Sequence, residues 1–312
     1  MKKIKTFLVT GGTGFIGSNI VKLLIKKKFN VIVFDNNTRG SLSKLKNYKN
    51  KFKFIKGDIR NKKEVKKAIK NVDAVIHLAY INGTKYFYKQ PVKILDIAVN
   101  GILNVLESCI KNKVKEIYLA SSSEVYQTPL KIPTSEKEML KIPDIYNPRY
   151  SYGGGKILTE LMGVHYGKKY FKKLVIFRPH NVYGPDMGNE HVIPEFINRF
   201  KKLKSKNFKI QGNGLETRSF IYIDDFIRAF SDIITKGKHL QIYNIGTDEK
   251  VTIRFLAKKM SKIFNKKIKI KKTKLSQGST KKRLPDITKI KLLGFRQKIK
   301  LEQGLKILLN HK

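Results

Sequence analysis

Two stretches of this 312-residue chain carry side chains whose types and spacing suit proton transfer. In Tyr152-Gly153-Gly154-Gly155-Lys156 the tyrosine and lysine are four residues apart, which puts them on one face of a helix. An ammonium beside a phenol favours the phenolate, so the pair is expected to lower the Tyr152 pKa. Of the fourteen tyrosines only Tyr152 has lysine at the fourth position on. A serine-rich run, Ser121-Ser122-Ser123-Glu124-Val125-Tyr126, lies at the end of a predicted strand before that helix and offers hydroxyls and a carboxylate. A lysine-rich chain produces some Tyr-Lys pairs by chance, so the weight of the motif rests on the elements around it.

The first of those elements is the amino-terminal run from Lys3 to Gly17. An apolar strand enters a glycine turn, and Ile16, Ile20, Leu23 and Leu24 then recur with helical period. The spacing fits G-x-G-x-x-G through Gly12, Gly14 and Gly17, and equally G-x-x-G-x-x-G through Gly11, Gly14 and Gly17. Such glycines make a tight turn, bring backbone close to a pyrophosphate and let helix pack closely on sheet, with the phosphates on the helix N-terminus. A second strand, Asn30-Val31-Ile32-Val33-Phe34, ends in Asp35, where an acid takes the ribose hydroxyls. Together these predict dinucleotide binding.

Composition narrows the class. The net charge is +44, but of 67 basic residues only ten are Arg and 57 are Lys, spread through every predicted helix. Arg is the residue of bidentate phosphate and base recognition, so a specific nucleic-acid surface is not expected; long-range steering of anionic ligands is. Cys109 stands alone and the six histidines show no ligand spacing, so neither a disulfide framework nor a metal site is expected. No leading stretch has signal-peptide form and no apolar run reaches membrane-spanning length, which predicts a soluble, cytoplasmic protein with no membrane partner.

Along the chain, strands are expected at 4–10, 30–35, 52–57, 74–79, 116–120 and 174–177, with helices near 15–28, 61–71, 92–112 and 151–170. Short, β-branched, two-sided apolar strands between amphipathic helices predict an α/β fold, a doubly wound, Rossmann-like parallel sheet. After Arg178, Pro, Gly and Asn gather at 179–189 and 212–214. Residues 220–223, with a helix from Asp224, read as a return to the main sheet. The expected division is a dinucleotide-binding domain of residues 1–178 plus 218–246 and a smaller carboxyl-terminal lobe of 179–217 plus 247–312. Ligands of such sheets bind in the crevice at the carboxyl ends of the strands.

Gly11-x-x-Gly14-x-x-Gly17, the serine-rich strand end and Tyr152-x-x-x-Lys156 together resemble the extended short-chain dehydrogenase/reductase family, in particular its NAD-dependent nucleotide-sugar epimerases and dehydratases. Further matches run through Asn181-Val182-Tyr183-Gly184-Pro185, Val192-Ile193-Pro194, Thr217 to Asp225, Tyr243-Asn244-Ile245-Gly246 and Arg283-Leu284-Pro285-Asp286-Ile287, so the resemblance covers essentially the whole chain. It implies NAD as cofactor, cradled by Gly11, Gly14, Phe15, Ile16, Gly17, Asp35 and Asn36. Asp58 and Ile59 would lie at the adenine, and Ala79 and Tyr80 would line the cofactor cleft. It implies a sugar hydroxyl, usually at carbon 4, giving its proton to Tyr152, with Ser122 hydrogen-bonding the same oxygen and Lys156 binding the nicotinamide ribose. Arg218 and Arg283 resemble arginines that grip the substrate diphosphate, and Asn181, His180 and His191 fall where sugar or phosphate contacts are made. The implied partners are a nucleotide-diphosphate sugar and a second copy of the chain, paired through the helices near 92–112 and 151–170.

Three departures stand out. Ala98 occupies the usual asparagine position of an Asn-Val-x-Gly pattern, with Asn100 two residues later. The loop 81–88 is unlike the common epimerase sequence, and His180 and His191 stand where an aromatic and an arginine are expected. Arg39, shortly after Asp35, could accept a 2′-phosphate, but Asp35 would repel it, so NAD is expected over NADP. Ser123-Glu124 lacks the Asp-Glu pair with which dehydratases eliminate water, and Ile157 stands where decarboxylases usually carry an Arg. A 4-epimerase of a UDP-sugar is therefore the leading expectation. A decarboxylase or 4,6-dehydratase is the alternative, and a non-catalytic NAD-binding regulator a second one.

Overall fold

A computed structural model describes residues 4–275 and 278–310. Residues 1–3, 276–277 and 311–312, which include Lys3 and the outer ends of the expected domains, lie outside the described residues. The first six strands are β1 (Thr6–Thr10), β2 (Asn30–Asp35), β3 (Lys53–Lys56), β4 (Ala74–His77), β5 (Glu116–Ala120) and β6 (Lys173–Pro179). Seven more are short or peripheral: β7 (Val182–Tyr183), β8 (Asn207–Gln211), β9 (Thr217–Arg218), β10 (Ile221–Tyr222), β11 (Gln241–Ile245), β12 (Val251–Thr252) and β13 (Lys269–Thr273). The main sheet has the order β11-β6-β5-β4-β1-β2-β3, with every neighbour parallel. That order reverses between β1 and β4, the switch point at which a crevice opens.

The strands are apolar on both faces because both faces are covered: all four residues of β4 are buried, as are the last four of β1 and of β5. On one side lie α1 (Phe15–Lys26) and, further on, the helix Ile223–Lys236. The first turns Ile20, Val21 and Leu24 inward and leaves lysines outside, and the second inserts Phe226 and Phe230 against Phe177. On the other side lie α2 (Lys62–Ala68), α3 (Thr84–Lys89), α4 (Pro91–Asp96), α5 (Ile102–Lys111) and α6 (Tyr150–Tyr170). Each fully buried aliphatic or aromatic side chain contributes roughly 1.5–3 kcal/mol, so two filled layers hold the sheet rigid beneath the crevice.

The structure corrects two expectations. Residues 221–222 do not re-enter the main sheet. They pair with β7, and Tyr222 packs edge-on to Tyr183 at 5.4 Å. A helix begins at once at Ile223, leaving no length to span the sheet, and β11 makes the return instead, beside β6. The expected helix 92–112 is also interrupted, since a π turn at Ile97–Gly101 separates α4 from α5. Among the described residues no helix is long and apolar enough to cross a membrane, and no group of His, Cys, Asp and Glu could hold a metal.

Candidate active site

The crevice at the carboxyl ends of β1 and β4 holds a cavity of about 400 Å³. One end is built mainly from backbone. Gly11 has φ 70°, and a Cβ there would lie 2.8 Å from the Ala79 backbone, so only glycine lets the turn run this close to the loop after β4. At Gly17 a Cβ would lie 2.1 Å from the Gly11 carbonyl oxygen. No side chain caps the first turn of α1, and Gly14, Phe15, Ile16 and Gly17 line the cavity. The Asp35 carboxylate ends β2, accepting from Thr13 N at 3.0 Å and Asn37 N at 2.8 Å. Asn36 donates to Asp58 at 3.1 Å, and hydrogen bonds from Arg60 hold the Asp58 carboxyl down at about 2. Ile59 and Ala79 complete this wall. An uncapped helix start, a turn that admits no Cβ and an acid at the end of β2 fit a dinucleotide.

Midway along the cavity, α6 faces the end of β5. Tyr152 and Lys156 are both buried and both line the cavity, with Ser122, Ser123 and Glu124 opposite. Ser122 bonds the Tyr152 phenol and accepts from Glu124 N at 3.1 Å. Lys156 Nζ donates to the Ala120 carbonyl at 2.7 Å. Here the expectation of an acidified phenol is overturned. Burial pushes the Tyr152 phenol above its ordinary value, with the Ser122 hydrogen bond opposing, and pushes Lys156 down to about 7 against the pull of Glu160. The ammonium lies 5.9 Å from the centre of the Tyr152 ring, and at that distance desolvation of two buried groups outweighs their attraction.

Ion pairs dominate the other end. Arg283 grips Glu124 with two hydrogen bonds, 2.8 and 3.1 Å, and Arg149 approaches the same carboxylate at 3.9 Å. Although burial opposes it, the charge of Arg283 and its bonds hold Glu124 at about 2. Arg218 lies near this group and donates to the Thr217 carbonyl at 2.9 Å, but it does not line the cavity. Burial and the neighbouring Arg283 bring it down to about 10. Asn181 and His191 line the cavity; Asn181 spends its amide on the Ser219 carbonyl at 2.9 Å, and burial lowers His191. His180 does not reach the cavity. Pro179 and Asn181 line it, and alternation turns the residue between them to the opposite side. There it is fully buried against Asn244 at 3.2 Å, and burial lowers it to about 3.

Two loops and α3 meet over the mouth. Arg39 pairs with Glu190 at 2.9 Å and stacks over Tyr86 at 4.7 Å, while Tyr86 donates to Glu190 at 3.3 Å. Asn100 bonds Asp96 at 2.7 Å on the surface, so it does not stand in for the asparagine replaced by Ala98. Sequence reasoning missed Phe87, which stacks on Tyr152 at 4.8 Å, and Glu160, which clamps Arg178 at 2.8 Å and accepts from Ser121. Glu160 was within reach, being four residues after Lys156 on the same helix; nothing local marks Phe87.

A parallel sheet of this order, with a glycine turn at its switch point and a tyrosine-lysine pair across the crevice, defines a dinucleotide-dependent enzyme. The model of the NAD dependent epimerase/dehydratase family matches residues 7–246, and the chain belongs to that family, whose cofactor is NAD. It is 34% identical over 280 residues to a dTDP-D-glucose 4,6-dehydratase of Dictyostelium discoideum, covering 83% of this chain and 62% of that protein, so it spans less than two thirds of that relative's length. It is 33% identical over 307 residues to UDP-glucuronic acid decarboxylase 5 of Arabidopsis thaliana, covering 96% of this chain and 87% of the relative. In structure it is similar to the UDP-glucose 4-epimerase of Thermotoga maritima solved with UDP-glucose, with TM-score 0.89, 29% identity and 98% of each chain covered.

Proposed function

We propose that the protein is an NAD-dependent nucleotide-sugar 4-epimerase acting on a UDP-sugar through a 4-keto intermediate. The reading is supported by the convergence of Tyr152, Ser122 and Lys156 on one cavity with the glycine turn. NAD, when bound, would supply the acceptor, and later the donor, of the hydride at the sugar carbon. Gly11, Gly14, Phe15, Ile16, Gly17, Asp35, Asn36, Asp58, Ile59, Ala79 and Tyr80 would hold the cofactor, and Lys156 would meet its ribose. Burial alone keeps the proton on Tyr152; with the positive charge of a bound nicotinamide favouring its phenolate, Tyr152 would accept the proton of the sugar hydroxyl and return it after the keto sugar has turned over. Ser122 would donate to the oxygen as it becomes a carbonyl, and Arg283, Asn181 and His191, which line the cavity, would bind the substrate's phosphates and sugar, with Arg218 adding positive charge from behind Arg283.

One observation favours isomerase over lyase: Glu124, the carboxylate beside Ser122 and Ser123, is ionised and held in both oxygens by Arg283. A carboxylate so engaged is a poor proton shuttle at carbon 5, whereas epimerisation needs only the tyrosine, serine and lysine and room for the sugar. Decarboxylation is the second reading, favoured by three guanidiniums around that single carboxylate, an excess of positive charge suited to a uronate. Incubation with UDP-glucose, UDP-N-acetylglucosamine and UDP-glucuronate, followed by NMR, tests both. A 4-epimer supports the first reading; carbon dioxide selects the second; a 4-keto-6-deoxy product overturns both.

The same reading includes a homodimer, supported by Val92, Leu95, Val99 and Leu161, which stand 78%, 45%, 44% and 56% exposed on α4, the π turn and α6. The paired substitution Leu95→Lys and Leu161→Lys is expected to halve the mass measured in solution by light scattering. A cytoplasmic location accords with a single buried cysteine that asks for no oxidising compartment. The division into 1–178 plus 218–246 and 179–217 plus 247–312 is supported by the main sheet's falling within the first set and β8, β9, β12 and β13 within or beside the second.

A further inference from the structure

Burial alone would leave Lys156 a weak cation, yet its surroundings are arranged to keep a positive charge. Its Nζ is bounded on one side by the Ala120 carbonyl, 2.7 Å away, and on another by the face of Tyr80, whose ring centre is 4.0 Å away. The negative face of an aromatic ring attracts an ammonium, and the attraction strengthens when both are withdrawn from water. The same ring meets Tyr152 edge-on at 5.2 Å and 89°. Tyr80 therefore touches both members of the tyrosine-lysine pair.

Its position is built from small residues on two helical segments. A Cβ on Gly155 would lie 2.1 Å from the Tyr80 hydroxyl and 2.7 Å from the Ala98 Cβ, so a glycine in mid-helix and an alanine on the π turn together leave the niche that seats the phenol. Glycine inside a helix costs about 1 kcal/mol relative to alanine, and here that cost has a structural return. Within the niche the hydroxyl is buried and has no hydrogen-bond partner. Its contacts to Lys156 and Tyr152 are made by the ring.

We propose that Tyr80 is a positioning residue for the catalytic pair, its ring clamping the Lys156 ammonium against the Ala120 carbonyl and bracing Tyr152 from the side. The other groups facing Lys156 do not do this. From β4, His77 is lowered by burial to about 3, so it is neutral at working pH, and its Nδ1 shares a hydrogen bond with the Thr10 hydroxyl at 2.8 Å. On α6, Glu160 attracts Lys156 but is itself held by Arg178 and Ser121. From the π turn, Ala98 brings only a methyl group. The clamp rests on the reading of Tyr152 and Lys156 as the catalytic pair, but it can be tested without turnover.

The full-length protein, labelled with carbon-13 at the lysine ε position, is titrated by NMR without coenzyme, and the Lys156 signal is identified by its loss in Lys156→Arg. Tyr80→Phe keeps the ring and is expected to leave the titration midpoint unchanged. Phenylalanines of increasing fluorination at position 80 keep the shape while draining the negative face. They are expected to lower the midpoint stepwise, by about one unit for the fully fluorinated ring. Tyr80→Leu, checked for fold by circular dichroism, is expected to lower it as well. A midpoint that does not fall with fluorination, or that rises, overturns the proposal. If it falls while no nucleotide sugar turns over, the clamp stands and the proposed function fails; turnover with an unmoved midpoint gives the reverse.

Discussion

The two ends of the crevice are built from different materials. At the coenzyme end the shape is made by backbone: Gly11 and Gly17 sit where a Cβ would strike main-chain atoms 2.8 and 2.1 Å away, and Asp35 is held by two backbone N–H groups. At the sugar end the shape is made by charge, with Arg283, Arg149 and Arg218 gathered around Glu124 and Arg39 reaching across to Glu190. Backbone geometry resists substitution but responds little to salt. Ion pairs can be exchanged for others, which suits the end of a fold whose relatives act on different sugars.

That contrast can be broken at several points. The largest effect is expected where the ends meet: Tyr152→Phe removes the proton acceptor and should lower kcat by about 10²–10⁴. Steady-state kinetics and a coenzyme titration would show turnover lost and NAD affinity kept. Glu124→Gln should cost about 3 kcal/mol in urea unfolding at pH 7, because it leaves Arg283 buried without its counter-charge. The carboxyl titrates at about 2 in the fold against 4.5 ordinarily, so this contribution is present above pH 4.5 and lost as pH falls towards 2. Wild type and variant should converge in acid, and a difference independent of pH would refute the ionic account.

Gly17→Ala should cost about 1–3 kcal/mol through overpacking and weaken NAD binding, as measured by calorimetry, with no change in its salt dependence. The smallest effect is expected at Glu190→Gln, which frees Arg39 while leaving Asp35 in place. A few-fold gain in NADP affinity, in direct binding measurements, is the expected result.

Legibility in the sequence followed the same divide. The glycine turn, Asp35 and six of the seven strands of the main sheet were readable because local spacing and two-sided apolarity determine them, and β2 and β5 fall at their expected residues, whereas β11 was not foreseen. The sugar end was less so, since Glu124 and Arg283 are 159 residues apart and only the fold brings them together. His180 was misjudged because alternation along the end of β6 decides which neighbour reaches the cavity, and no single residue type reveals that phase. Tyr152 was expected to be acidified because four-residue spacing shows proximity but not burial. Residues 221–222 carried strand-like apolarity, yet the helix that starts at Ile223 made them too short for the main sheet.

The clasp of Arg39 on Glu190 joins a loop beside the coenzyme to one 151 residues later. A guanidinium already paired with an acid is less free to take the extra phosphate that distinguishes the two nicotinamide dinucleotides. Remodelling the loop that carries Glu190 for a new sugar is therefore expected to change how firmly that phosphate is refused at the coenzyme.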